Sequence, residues 1–167
     1  QGGDRFAGNI DGYIYSRLGN PTVRALEMRM AILEEMEDGA ATATGMGAIS
    51  STLLSFLSSG DHLIASKTLY GCSYALISHQ LTRWGIEVDF VDMAEPNNIN
   101  KCIKDNTKII FLETPANPNL SVYDLSAIGR IANEHQILSV VDNTFLTPIL
   151  QKPKHFGIDI VIHSATK

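Results

Sequence analysis

Cysteine is scarce: Cys72 and Cys102 are the two in 167 residues. That is too few for a disulfide scaffold in a chain long enough to build its own core, and it predicts a reducing compartment, the cytoplasm. Positive charge is also short, with 13 Lys and Arg against 18 Asp and Glu and a net charge of -5. With no basic run to override that average, a nucleic-acid surface and an anionic membrane are excluded as partners, and small neutral or zwitterionic molecules fit better. Long apolar runs are missing too. No stretch approaches the ~20 residues that span a bilayer, and the start lacks the charged, apolar and small-residue succession of a secretory leader. The five histidines, His62, His79, His135, His155 and His163, show no close pairing and no cysteine at ligand distance, so no metal site is expected. There is no G-x-S-x-G elbow, which sets aside an α/β-hydrolase nucleophile. A start methionine is absent as well, and "QGGDRFAGNIDGYIY" reads as a Gly-rich arm, so both ends are expected to be cut from a longer protein.

What is present is a core-forming composition, 44% hydrophobic and 19% charged, of a length that fits one domain. Residues 1–19 are assigned to an N-terminal arm and 20–167 to a large domain. Asn20 is a good N-cap and Pro21 suits the first helical position. Val23, Leu26, Met30, Leu33 and Met36 then repeat at helical spacing, with Gly39 as the expected stop. From there β-like and helical stretches alternate. The strands are "AATAT", "HLIAS", "EVDFVD", "KIIFLE", "ILSVVD" and "DIVIHS". Helices are expected at about Met46 to Leu57, through the seventies, near 97 to 105 and from about Asp124 to Glu134. Such alternation predicts an α/β fold, a mostly parallel sheet sandwiched by helices. Runs such as "IIFL" and "LSVV" are too uniformly apolar for a wet face and belong in the sheet centre. Ligands of these sheets bind at the carboxyl ends of the strands.

Each strand end carries a candidate. In "ATATGMGAISS", Gly45, Met46 and Gly47 can present backbone N–H groups to an anion at a helix start. The alternatives are a plain tight turn or a dinucleotide fingerprint. The latter wants an acidic residue after the next strand, where Ser66 and Lys67 stand instead. Tyr70 in "TLYGCSYA" can lay its face on a planar ring, with Cys72 lining the same pocket; a core tyrosine and an inert core thiol are the plainer alternatives. Asn117 lies between two prolines, which hold its amide rigid or merely make a turn. Asp142 ends a run of buried β-branched residues, where an ionised carboxylate needs a partner: a cationic ring nitrogen, or the backbone it caps. "HSATK" offers Ser164, Thr166 and Lys167, an amine that becomes nucleophilic in an apolar pocket and is otherwise an ordinary surface lysine.

Together these ends supply an anion cradle, a stacking aromatic, a rigid amide, a buried carboxylate and a lysine. Pyridoxal 5'-phosphate asks for that set. The motifs "YSRLGNPT", "TGMGAIS", "LYGCSY", "ETPANPN", "VVDNT" and "HSATK" resemble, in order and across nearly the whole chain, the Cys/Met-metabolism family of pyridoxal-phosphate enzymes. The resemblance implies the large domain of a fold type I, aspartate-aminotransferase-like enzyme, ending here at the cofactor lysine, with the smaller domain outside this chain. It makes Lys167 the Schiff-base lysine, Asp142 the partner of the pyridine nitrogen, Tyr70 the stacking ring and proton donor, and Asn117 the contact on the ring-hydroxyl side. Gly45, Met46, Ser164 and Thr166 would grip the phosphate. Tyr15 and Arg17 would reach the phosphate of a neighbouring subunit in a homotetramer built as a dimer of dimers. Cys72 resembles the branch that eliminates methanethiol from L-methionine, leaving 2-oxobutanoate and ammonia, and would line the substrate side. Cystathionine cleavage and γ-replacement on an activated homoserine share every cofactor residue and stay open. A noncatalytic nucleotide-binding α/β domain is the reading from another class.

Overall fold

The computed structural model describes residues 2–167. The chain divides into two compact units, one ending at Ala41 and the other running from Thr42 to Lys167.

The first unit holds α1 (Gly2–Phe6) and α2 (Pro21–Glu34). Asn20 caps α2 as expected: its Oδ1 accepts from the N–H groups of Thr22 at 2.9 Å and Val23 at 3.3 Å, satisfying donors that a helix start leaves orphaned. The helix stops at Glu34, short of Gly39. Glu35 turns left-handed at φ 58°, and the N–H groups of Glu35 and Met36 fold back onto the Ile32 and Ala31 carbonyls, which closes the last turn. Gly39 has another task. A Cβ there would lie 2.7 Å from the Glu27 carbonyl oxygen, and Arg24 pulls the same hairpin in through Asp38 at 2.7 Å. The apolar stripe of α2 remains open, with Val23 and Leu26 exposed and Met30, Leu33 and Met36 half-buried.

The second unit begins with an irregular segment where "AATAT" predicts a strand. The threonine hydroxyls explain the difference. Thr42 Oγ1 donates to the Thr44 carbonyl at 2.8 Å, and Thr44 Oγ1 accepts from Gly47 N–H at 2.9 Å. These local bonds divert the backbone from a ladder and cap α3 (Gly45–Phe56). Then come β1 (His62–Ser66), α4 (Gly71–Ala75), which widens into a π-helical turn over Leu76–Leu81, and β2 (Glu87–Val91). They are followed by α5 (Asn97–Cys102), β3 (Thr107–Glu113), α6 (Leu125–Glu134), β4 (Leu138–Asp142), α7 (Thr147–Leu150), a 3₁₀ turn (Pro153–Phe156) and β5 (Ile160–Ile162).

The five strands form one sheet in the order β2-β1-β3-β4-β5, and every pairing is parallel. Side chains alternate between two buried clusters, one on each face. Leu63, Ala65, Ile109, Phe111 and Val140 pack with Ile49 and Leu53 of α3 and Ile77 and Leu81 of the π turn. Ile64, Ile110, Leu112 and Val141 pack with Ile99 of α5 and Ile128 and Ile131 of α6. Both faces being covered explains why these strands read as continuous apolar runs. The order reverses between β1 and β3, so the loops after these strands diverge there and open a crevice at their carboxyl ends. Among the described residues no helix is long and apolar enough to cross a membrane.

Candidate active site

The site starts where α3 meets the end of β5. A Cβ on Gly45 would lie 2.7 Å from Ser164 Cβ and 2.8 Å from its Oγ, so only glycine lets the helix start approach Ser164 this closely. Gly47 N–H is taken by Thr44 Oγ1 and Ala48 N–H by the Thr44 carbonyl. The amides of Gly45 and Met46 are then the first-turn donors that face outward, at the positive end of the helix. Beside them Ser164 Oγ and Thr166 Oγ1 stand 2.9 Å apart. Lys167, exposed, donates its N–H to the Ser164 carbonyl at 3.4 Å. Met46 is held from the other side, its sulfur accepting from Ser73 Oγ at 3.8 Å.

From Ser164 a run of bonds leads to the sheet. Ser164 N–H donates to Thr144 Oγ1 at 2.9 Å. Thr144 in turn gives both its hydroxyl, at 2.5 Å, and its N–H, at 3.0 Å, to Asp142 Oδ1. Asp142 is 9% exposed. Both of those bonds fall on Oδ1 and form a local turn; the N-cap of the next helix is Leu146, not Asp142. One strand over, Asp142 is in register with Glu113, a carboxylate only 6% exposed. Its Oε2 accepts from Tyr70 N–H at 2.7 Å and its Oε1 from Asn117 N–H at 3.2 Å. Burial pushes the Glu113 carboxyl above the usual range and the nearby Asp142 adds to this, while the two N–H bonds oppose it.

Tyr70 opens α4 and is 43% exposed. The nearby Cys72 thiol raises the phenol above its ordinary value. Cys72 itself is exposed, which sets aside the inert core thiol. Asn117 is half-buried, behind a cis peptide at Thr114–Pro115 and before another at Asn117–Pro118. The predicted residues Gly45, Met46, Tyr70, Cys72, Asn117, Asp142, Ser164, Thr166 and Lys167 are thus joined by one run of contacts within the second unit. Tyr15 and Arg17 lie in the first unit, where the Arg17 guanidinium stands over the Tyr15 ring, 5.3 Å from its centre.

Two members escaped sequence reasoning, Glu113 and Thr144. Glu113 carried a usable signal, since a charged residue ending an apolar strand is the pattern that singled out Asp142. Thr144 had none beyond its place in "VVDNT". The cradle, the buried carboxylates and the adjacent lysine fit a phosphate-bearing, cationic-ring cofactor. Among the described residues no group of three His, Cys, Asp or Glu gathers as metal ligands.

The family model described as "Cys/Met metabolism PLP-dependent enzyme" matches residues 1–167. The chain is 55% identical over its whole length to the L-methionine gamma-lyase of Fusobacterium nucleatum subsp. nucleatum, of which it covers 42%. It is 48% identical over 93% of its length to the cystathionine beta-lyase MetC of Bacillus subtilis, covering 40% of that protein. Among solved structures, a putative O-acetylhomoserine (thiol)-lyase from Campylobacter jejuni, carrying a pyridoxyl-lysine monophosphate at its position 205, superposes with a TM-score of 0.93. The two are 40% identical, over 99% of this chain and 41% of that one. The chain therefore spans less than half the length of these three relatives, and its sheet is that of the fold type I pyridoxal-phosphate enzymes. On the full-length family match, the chain belongs to the Cys/Met metabolism family of pyridoxal-phosphate-dependent enzymes.

Proposed function

We propose that the chain is the cofactor-binding part of a carbon–sulfur lyase that releases methanethiol, 2-oxobutanoate and ammonia from L-methionine and water. The observation that carries the reading is the approach of Gly45 to Ser164, which brings a helix-start anion cradle beside the segment ending in Lys167. The choice of methionine rests on the similarity to L-methionine gamma-lyases. Cystathionine cleavage and γ-replacement are the second reading, supported by relatives of those activities at comparable identity.

In this reading the Gly45 and Met46 amides and the Ser164 and Thr166 hydroxyls hold the phosphate. Lys167 Nζ would hold the cofactor through its aldehyde and, when its amine is free, would take the proton from the substrate α-carbon. Asp142 would keep a proton on the ring nitrogen through Oδ2, the oxygen that takes neither Thr144 bond, with Thr144 fixing the carboxylate through Oδ1. When bound, the cofactor supplies the electron sink for the negative charge left on that carbon. Asn117 is assigned to the ring-hydroxyl side. Tyr70, whose phenol carries its proton at neutral pH, is assigned to deliver a proton to the departing thiolate, and Cys72 beside it lines the substrate side. Residues 1–19 are assigned to an arm and 20–167 to the cofactor domain. Tyr15 and Arg17 would serve the phosphate of a second copy in a homotetramer.

Borohydride treatment of the full-length holoenzyme, followed by peptide mass mapping, is expected to fix a pyridoxyl group on Lys167. L-Methionine is then expected to yield methanethiol faster than cystathionine is cleaved. An unmodified Lys167 refutes the cofactor assignment; cystathionine turnover without methanethiol release refutes only the substrate.

A further inference from the structure

We propose that Glu113 is a positioning residue of this site, one carboxylate that sets the Tyr70 and Asn117 loops against each other and places a second negative charge beside Asp142. The inference rests on the cofactor reading above and goes beyond it, because Glu113 has no part in holding phosphate, aldehyde or ring nitrogen.

The β1–β3 ladder runs from His62↔Thr107 to Ala65↔Phe111. Beyond it, at the reversal point of the sheet, the segments leading to Tyr70 and Asn117 diverge, and backbone pairing no longer sets their spacing. Glu113 takes over that task with its two oxygens, one on Tyr70 N–H at 2.7 Å and the other on Asn117 N–H at 3.2 Å. Tyr70 is the N-cap residue of α4, and the bond its N–H donates to Glu113 ties the entry of the aromatic residue to the end of β3. A carboxylate suits this better than an amide, because both partners are donors and a glutamine offers a single acceptor oxygen.

Its charge has a second effect. Glu113 and Asp142 occupy facing register positions on adjacent strands and project to one face of the sheet, following the alternation that puts Phe111 and Val140 in the same cluster. Two nearly buried carboxylates side by side favour a cation next to them. Glu113 therefore acts through Asp142 to keep a ring-nitrogen proton in place, without touching the ring.

The test uses the full-length enzyme and its Glu113→Gln and Glu113→Asp variants. The readouts are the cofactor dissociation constant by fluorescence titration of the cofactor-free protein, the pH midpoint of the visible absorbance of the lysine-bound cofactor, and the melting temperature without cofactor. Glu113→Gln is expected to weaken cofactor retention about tenfold or more, as fits the loss of one charge-assisted bond, and to move the pH midpoint down, while the cofactor-free protein melts no lower than the parent. Glu113→Asp keeps the charge but not the reach. It is expected to restore the pH midpoint and not the affinity. A Glu113→Gln enzyme with parental affinity and midpoint overturns the proposal, as does a variant whose whole loss follows its melting temperature. If the parent enzyme itself traps no pyridoxyl group on Lys167, the cofactor reading fails instead, so the two failures are distinguishable.

Discussion

Replacing Gly45 by alanine sets two effects against each other. Within a helix alanine is preferred to glycine by about 0.5–1 kcal/mol, so on propensity alone Gly45→Ala stabilises α3. The added Cβ would sit 2.7 Å from Ser164 Cβ and 3.2 Å from its Cα, against the ~3.5–4.0 Å at which carbon atoms rest in contact. The helix start and the Ser164 segment must therefore separate by about 1 Å, and forced overpacking of this kind costs ~1–3 kcal/mol. The net loss for the cofactor-free protein is ~0–2.5 kcal/mol. The larger consequence falls on the cradle, whose amides and hydroxyls no longer converge. Losing the equivalent of one charge-assisted hydrogen bond, ~1.5–3 kcal/mol, weakens cofactor retention about ten- to a hundredfold. Titration of the cofactor-free enzyme with pyridoxal phosphate reads this directly, with thermal melting as the control. Adding Ser164→Gly removes the Cβ and Oγ but not the Cα, and should recover the packing only in part. A Gly45→Ala enzyme that binds cofactor within about twofold of the parent refutes the cradle, since such an overlap cannot be absorbed without moving donors by a large fraction of a bond length.

Three other outcomes are expected. Gly129 is buried in α6 with its Cα against the 3₁₀ turn, and an added Cβ would collide with the Phe156 carbonyl oxygen. Gly129→Ala should cost at least ~1–3 kcal/mol in chemical denaturation while leaving the absorbance of the bound cofactor unchanged. His62 is fully buried, 2.8 Å from Thr107 Oγ1 and 3.2 Å from Asp89 Oδ2, the latter off the hydrogen-bond direction. Burial first, and then the Lys104 charge, lower its pKa. The unfolded chain therefore takes up a proton before the folded one does, so stability should be full above the ordinary histidine range and fall as the pH drops from there toward the depressed folded value. Glu113 carries the opposite sign with pH through its raised pKa, so Glu113→Gln is the background in which to compare His62→Gln melting curves, where the acid-side slope should flatten. Mixing Arg17→Ala with Lys167→Ala chains should restore part of the activity lost in each alone if the arm serves a second copy, and no recovery refutes that role.

Much of the fold was legible because its strands bury both faces. "KIIFLE" and "LSVVD" are apolar in consecutive positions, and the residues that end them, Glu113 and Asp142, are register partners at the candidate site. What misled was local hydrogen bonding. The threonines of "AATAT" look like strand formers, yet their hydroxyls bond to backbone within the segment and start α3. Gly39 looks like a helix stop, but Glu35 had already taken the left-handed turn, and the glycine is needed for its approach to Glu27. The π-helical widening after α4 had no readable signal, because a single extra residue in a helical turn leaves the apolar spacing nearly intact. At the site, sequence reasoning named residues by the ligand chemistry of their types and missed those whose partners are other residues. Glu113 and Thr144 act on neighbours, and which neighbours these are depends on a strand register that no local pattern encodes.

The cradle is made by residues from the two extremes of the second unit, Gly45 at its start and Ser164 at its end, with Asp142 and Thr144 as the intervening links. An assembling chain can pair β1 with β3 and bury much of both clusters before β5 arrives, but Gly45 and Ser164 meet only when β5 docks. Under the proposed reading, capture of the cofactor would for that reason wait on β5, and the yellow colour of a freshly made chain would mark molecules in which β5 has docked, separating them from those that are compact but unfinished.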